Sequence, residues 1–131
     1  MNGERANRAR RGFTLLELLV VMAIIGTLLT IAVPRYFRSL QRSREAVLMQ
    51  DLATLRESID KFYGDTGKYP ASLAALVERR YLRSIPVDPI AKAADKWVVV
   101  NNTDDPEDAG VKDVRSSAEG NGENGVPYAV W

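Results

Sequence analysis

A single carboxylate stands inside a long apolar run. In RRGFTLLELLVVMAIIGTLLTIAVPRYF, residues Phe13 to Val33 carry no charge except Glu17. Placing a carboxylate in hydrocarbon costs about 2.5–3.5 kcal/mol on insertion scales, so a partner or a function is the default expectation. Within the chain no Lys or Arg reaches it, because Arg10 and Arg11 lie outside the run. The residues alone leave two readings open. Either Glu17 sits at headgroup level, one turn into a helix, or it makes a directional contact with a cation supplied from elsewhere. The only other dense group of acids, Asp104, Asp105, Glu107 and Asp108, lacks EF-hand spacing and reads as a solvated acidic loop.

Other chemistry is largely excluded. The 131 residues contain no Cys and no His, which removes disulfides, thiol nucleophiles, the usual zinc sets and the commonest general base. No nucleophile arrangement compensates, so a membrane-anchored enzyme or binding domain is the weaker alternative. A formal net charge of +1 gives no global field that would favour nucleic acid.

The elements follow from pattern. Residues 1–12 are polar, with Arg5, Arg8, Arg10 and Arg11, and read as a basic leader. At 1.5 Å per residue, the run from Phe13 to Val33 spans roughly 30 Å as a helix, the thickness of a bilayer core. It is too long for the core of a cleaved secretory signal and lacks a clear A-x-A pattern after it. Pro34 is expected to kink the helix or loosen a turn, since it removes a donor and crowds the preceding turn. The helix then continues to about residue 64. Apolar Leu40, Val47, Leu48, Leu52, Leu55, Ile59 and Phe62 form one stripe, with Arg44, Glu45, Asp51, Arg56, Glu57 and Lys61 on the other face. The turn GDTGKYP ends it. Ser72 is placed to cap a short helix, SLAALVERR, and Pro86 and Pro89 hold IPVDP extended. Trp97 to Val100 and VKDVRS are strand candidates, and PYAVW is a third. The fold class is therefore α+β: a long N-terminal helix with a transmembrane and an amphipathic half, a short helix in a connecting loop, and a small C-terminal antiparallel sheet.

The leader ending in Gly12, then Phe13, Thr14 and Leu15, Glu17 as the fifth residue after the glycine, and the apolar run closed by Pro34 together resemble the type IV prepilin N-terminus of pilins and type II secretion pseudopilins. The resemblance implies cleavage between Gly12 and Phe13 by a prepilin peptidase and methylation of the new Phe13 amine. It divides the chain into a leader (1–12), a transmembrane assembly helix (13–33) and a periplasmic domain (34–131). It further implies that Glu17 of one subunit faces the Phe13 amine of a neighbour, which would set register in a filament. Arginines flank the run comparably on both sides, Arg35, Arg38, Arg42 and Arg44 matching those of the leader, so the positive-inside rule does not orient it. The cytoplasmic leader rests on the resemblance.

LATLRESIDKFYGDTGKYPASLAALVERRYLRSIPVDPI and VKDVRSSAEGNGENGVPYAVW are similar to the major, G-type pseudopilins. That similarity implies a pilin-like fold and a structural subunit of a type II secretion pseudopilus in the bacterial inner membrane. Its implied partners are the prepilin peptidase, further copies, minor pseudopilins and an inner-membrane assembly platform. A minor type IV pilin of a pilus or DNA-uptake system is the alternative. The similarity also implies a calcium loop, for which this chain offers Ser117, Glu119, Asn121, Glu123 and Asn124. Hard cations want several oxygens and usually more than one carboxylate. Where related tails carry acids, this one has Asn124, Ala129 and Val130. A solvated glycine-rich loop that needs no ion is the other reading.

Overall fold

The structure, a computed structural model, describes residues 12–131; Arg5, Arg8, Arg10 and Arg11 lie outside the described residues. The first helix, α1, runs from Leu15 to Thr66, and its helical assignment is unbroken at Pro34. The chain divides into two units, one ending at Ser39 and the other comprising Leu40–Trp131.

In the first unit every residue from Gly12 to Ser39 is exposed. By length and composition this part of α1 could cross a membrane. Its internal hydroxyls are already satisfied: Thr27 donates to the Ala23 carbonyl and Thr30 to the Gly26 carbonyl, both at 2.8 Å. Such bonding to the preceding turn leaves no open donor on an apolar surface.

The second unit is built on the C-terminal half of α1. Leu48, Leu52, Leu55, Ile59 and Phe62 are buried, as the alternating spacing of four and three predicts. The stripe differs from expectation at its N-terminal end. Stepping three residues back from Leu48 lands on Glu45, which is buried, whereas Val47 points away and is exposed. The helix stops where the Gly67 amide donates to the Tyr63 carbonyl at 2.8 Å. Helix α2 (Leu73–Glu78) is capped by Ser72, whose hydroxyl accepts from the Ala75 amide, and adds Leu73 and Leu76 to the core.

Strands β1 (Val98–Asn101) and β2 (Val111–Arg115) pair antiparallel, Val99 opposite Val114, with a register shift at Val100/Asn101. Val111 and Val114 face the helix core, together with Leu82, Trp97, Ala118 and Tyr128. The third strand expected at PYAVW is absent. Tyr128–Val130 form a 3-10 turn, and Pro127 makes only an isolated bridge with Asn121. Buried Tyr128 anchors this segment, so packing of one ring overrides its local strand preference.

Asp88 explains the P-x-D-P loop. It is buried and accepts from the amides of Ile90 and Ala91, each at 2.9 Å, and from the Ser116 hydroxyl. With Trp97 Nε1 donating to the Pro86 carbonyl at 2.8 Å, the loop is stapled to the end of β2 and the start of β1. The acidic loop is also less free than its composition suggests. Asp105 and Glu107 are exposed, but Asp108 accepts from the Tyr69 amide at 3.1 Å and Asp104 pairs with Lys112 at 2.8 Å.

Candidate functional site

Gly12, Phe13 and Thr14 precede α1 in exposed, non-helical chain, the conformation in which a peptide bond is accessible to a protease. Thr14 then starts the helix. Its hydroxyl accepts from the Glu17 amide at 3.1 Å and its carbonyl from the Leu18 amide at 3.1 Å, the geometry of an N-cap. Glu17 thus occupies the first turn, where the partial positive charge of the helix end favours an acid. The pattern T-L-L-E carries the capping-box spacing, a signal present in the sequence and not used in reading it. Phe13 and the apolar residues that follow are exposed, Phe13 at 82%. Among the described residues of this unit none is buried, so the segment presents an apolar surface with one carboxylate at its start.

The C-terminal loop lies within the second unit and rests on Glu45. One carboxylate oxygen, Oε1, accepts from the Tyr128 hydroxyl at 2.7 Å and from the Glu123 amide at 3.0 Å. Gln41 Nε2 donates to Tyr128 Oη at 2.8 Å and lies 3.5 Å from the same Glu45 oxygen. Burial, reinforced by the hydrogen bond to Glu45, pushes the Tyr128 phenol above its ordinary value of 10.0.

Two of the five oxygen-bearing residues named for a cation are engaged within the protein. Glu123 Oε2 accepts from Arg42 Nε at 2.9 Å, and Asn124 Oδ1 accepts from the Val126 amide at 3.0 Å. Glu119 and Asn121 are exposed and Ser117 is half-buried. Arg56, expected on a solvated face, instead reaches across to Asp113 at 2.8 Å and to the Val114 carbonyl at 3.0 Å. Gln41, Arg42, Glu45 and Tyr128 escaped the sequence reading as a group. Only the spacing back from Leu48 pointed to Glu45, since its partners lie about eighty positions away.

Known proteins match both parts. The family profile described as "Prokaryotic N-terminal methylation motif" matches residues 7–33. The type II secretion system core protein G of Dickeya chrysanthemi is 31% identical over 98 residues, 63% of this chain and 64% of that protein. The fimbrial protein EcpC of Eikenella corrodens is 34% identical over 85 residues, 61% of this chain and 56% of that one. In both cases the match spans less than two thirds of the relative. The type II secretion system core protein G of Escherichia coli (strain K12) is 30% identical over 113 residues, 74% of this chain and 76% of that protein. No solved structure gives a significant match. A prepilin-type N-terminus joined to this α+β unit, with similarity across three quarters of a core protein G, settles the kinship: the chain belongs to the type II secretion core protein G family.

Proposed function

We propose that the chain is the major structural subunit of a type II secretion pseudopilus, stored in the inner membrane and polymerised through α1 to help drive protein export. The observation that carries this reading is the exposed Gly12–Phe13 bond set shortly before an exposed apolar helix with Glu17 in its first turn. A prepilin peptidase would cut that bond, leaving a methylated amine on Phe13. The amine is a cation at membrane depth, and Glu17 of a neighbouring subunit is its counter-charge. A charge pair in low dielectric is directional and strongly penalised if left open, so it sets axial register while the apolar helices supply packing. The unit from Leu40 onward would lie on the periplasmic side.

Mass spectrometry of the native N-terminus, with electron microscopy of sheared fibres after overexpression beside a type II secretion system, tests the proposal. A mature chain beginning at methylated Phe13 and recovered in fibres is expected. An intact leader, or a cut after Ala32, defeats it. The similarity to a fimbrial protein supports a second reading, a minor type IV pilin. Genomic neighbours separate the two: secretin and secretion ATPase genes for the first, pilus or competence genes for the second.

A further inference from the structure

We propose that this chain closes its C-terminal loop with its own side chains, Glu45 serving as the anchor, and requires no divalent cation there. A cation organises a loop by gathering oxygens, whereas a buried carboxylate organises it by gathering N–H and O–H donors. Here the second arrangement is built. Glu45 occupies a position of the buried stripe of α1, where an apolar residue would ordinarily stand. Its Oε1 collects one donor from within the glycine-rich segment, the Glu123 amide, and one from just beyond it, the Tyr128 hydroxyl. Gln41 completes the set by donating to the Tyr128 oxygen. A buried carboxylate with this many donors is stable, and removing them would leave it uncompensated.

The residues that a calcium ion would use do not fit it. Glu123 turns its carboxylate to the Arg42 guanidinium, so a cation already answers it. Asn124 spends its amide oxygen on a turn inside the loop. That turn is further fixed by Gly122 N–H to the Val126 carbonyl and Gly125 N–H to the Gly122 carbonyl, both at 2.9 Å. The Trp131 ring lies against Gly122 so closely that a Cβ there would fall 2.3 Å from a ring carbon. Trp131 in turn meets Tyr128 edge-on, centroids 5.0 Å apart. Among the described residues no three acids converge as a group that could hold a metal ion. Loop closure is thereby uncoupled from the calcium concentration around the protein, whatever the fibre it joins.

Hydrogen exchange of residues 119–131 and thermal melting, on the full chain in detergent, test this. The arms are millimolar calcium chloride and EGTA, for the wild type, Glu45→Gln and Tyr128→Phe. Amides of Leu55 and Ile59 report whether each variant keeps its core. In the wild type, exchange and melting should be the same with calcium and with EGTA. In Tyr128→Phe, and in Glu45→Gln if its core remains protected, the Glu123 and Tyr128 amides should exchange at least about tenfold faster. The proposal is overturned if EGTA alone opens the wild-type loop. Saturable calcium binding that raises the melting temperature by many degrees overturns it as well. So does a Tyr128→Phe variant with wild-type loop protection.

Discussion

The Thr14 hydroxyl accepts the Glu17 amide hydrogen at 3.1 Å, which makes the acid in the apolar run a first-turn residue of α1. Two roles for the position can therefore be separated by mutation. Glu17→Ala should be inserted and processed as well as the wild type or better, because a charge leaves the run. The unit from Leu40 onward should fold unchanged. Polymerisation should fail, since each incoming Phe13 amine would be buried without a counter-charge, a penalty of several kcal/mol, about 3–5, for one broken pair. Thr14→Val, which removes only the cap, should cost about 0.5–2 kcal/mol of helix-end stability and still assemble. Fibre yield beside a fractionation blot decides, and normal fibres from processed Glu17→Ala would reduce the residue to a helix-end preference.

Leu55→Ala should destabilise the second unit by about 2–5 kcal/mol, because the side chain is fully buried among α1, α2 and β2 residues. Thermal melting of the full chain in detergent measures it. A loss below 1 kcal/mol would mean that the site collapses around the deletion.

Gly110→Ala tests a close backbone approach. A Cβ at that position would come within 2.5 Å of the Tyr69 carbonyl oxygen and 2.8 Å of that of Pro70. The next residue is tied down by Val111 N–H to the Pro70 carbonyl at 2.7 Å, so β2 cannot easily retreat. Destabilisation of about 1–3 kcal/mol is expected, with loss of exchange protection at Val111 before Val114. Wild-type melting would show that the helix-end turn moves freely.

Burial, and after it the charge of Asp88, hold the Asp51 carboxyl above its usual 3.8. The fold therefore prefers protonated Asp51. Its contribution is present in full below the unfolded value and disappears as pH rises through the raised folded one. Asp51→Asn imitates the protonated state, so it should gain stability over the wild type at pH 7 and lose that advantage toward pH 3. Denaturant melts of both proteins at several pH values give the comparison. A variant less stable than the wild type at pH 7 contradicts this assignment.

How much was legible follows from how local each signal is. The prepilin signature, the α1 stripe from Leu48 to Phe62 and the Ser72 cap depend on neighbours within a turn or two; the first is matched by the family profile and the other two are in place in the fold. Charge places Glu45 and Arg56 on the face opposite the apolar stripe, while the partners that draw them inward come from β2 and the C-terminal segment. PYAVW is rich in aromatic and β-branched residues like a strand, but Tyr128 is buried against Glu45 and the segment forms a turn. The P-x-D-P motif read as an extended loop, and its buried Asp88 became visible only with Ser116 beside it.

Thr27 and Thr30 give their hydroxyl hydrogens to the Ala23 and Gly26 carbonyls of their own helix. Their polarity is thus hidden from anything that touches the apolar run. A neighbouring helix sliding along this surface beyond Glu17 meets uncharged, largely apolar side chains, and lipid tails offer it a similar medium. From Phe13 to Val33 Glu17 is the one charged side chain, so in the proposed fibre it is the charge that could distinguish one axial offset from the next. Under the proposed assembly the electrostatic address of the segment therefore lies at a single end, and losing it would cost a subunit its register and its counter-charge together.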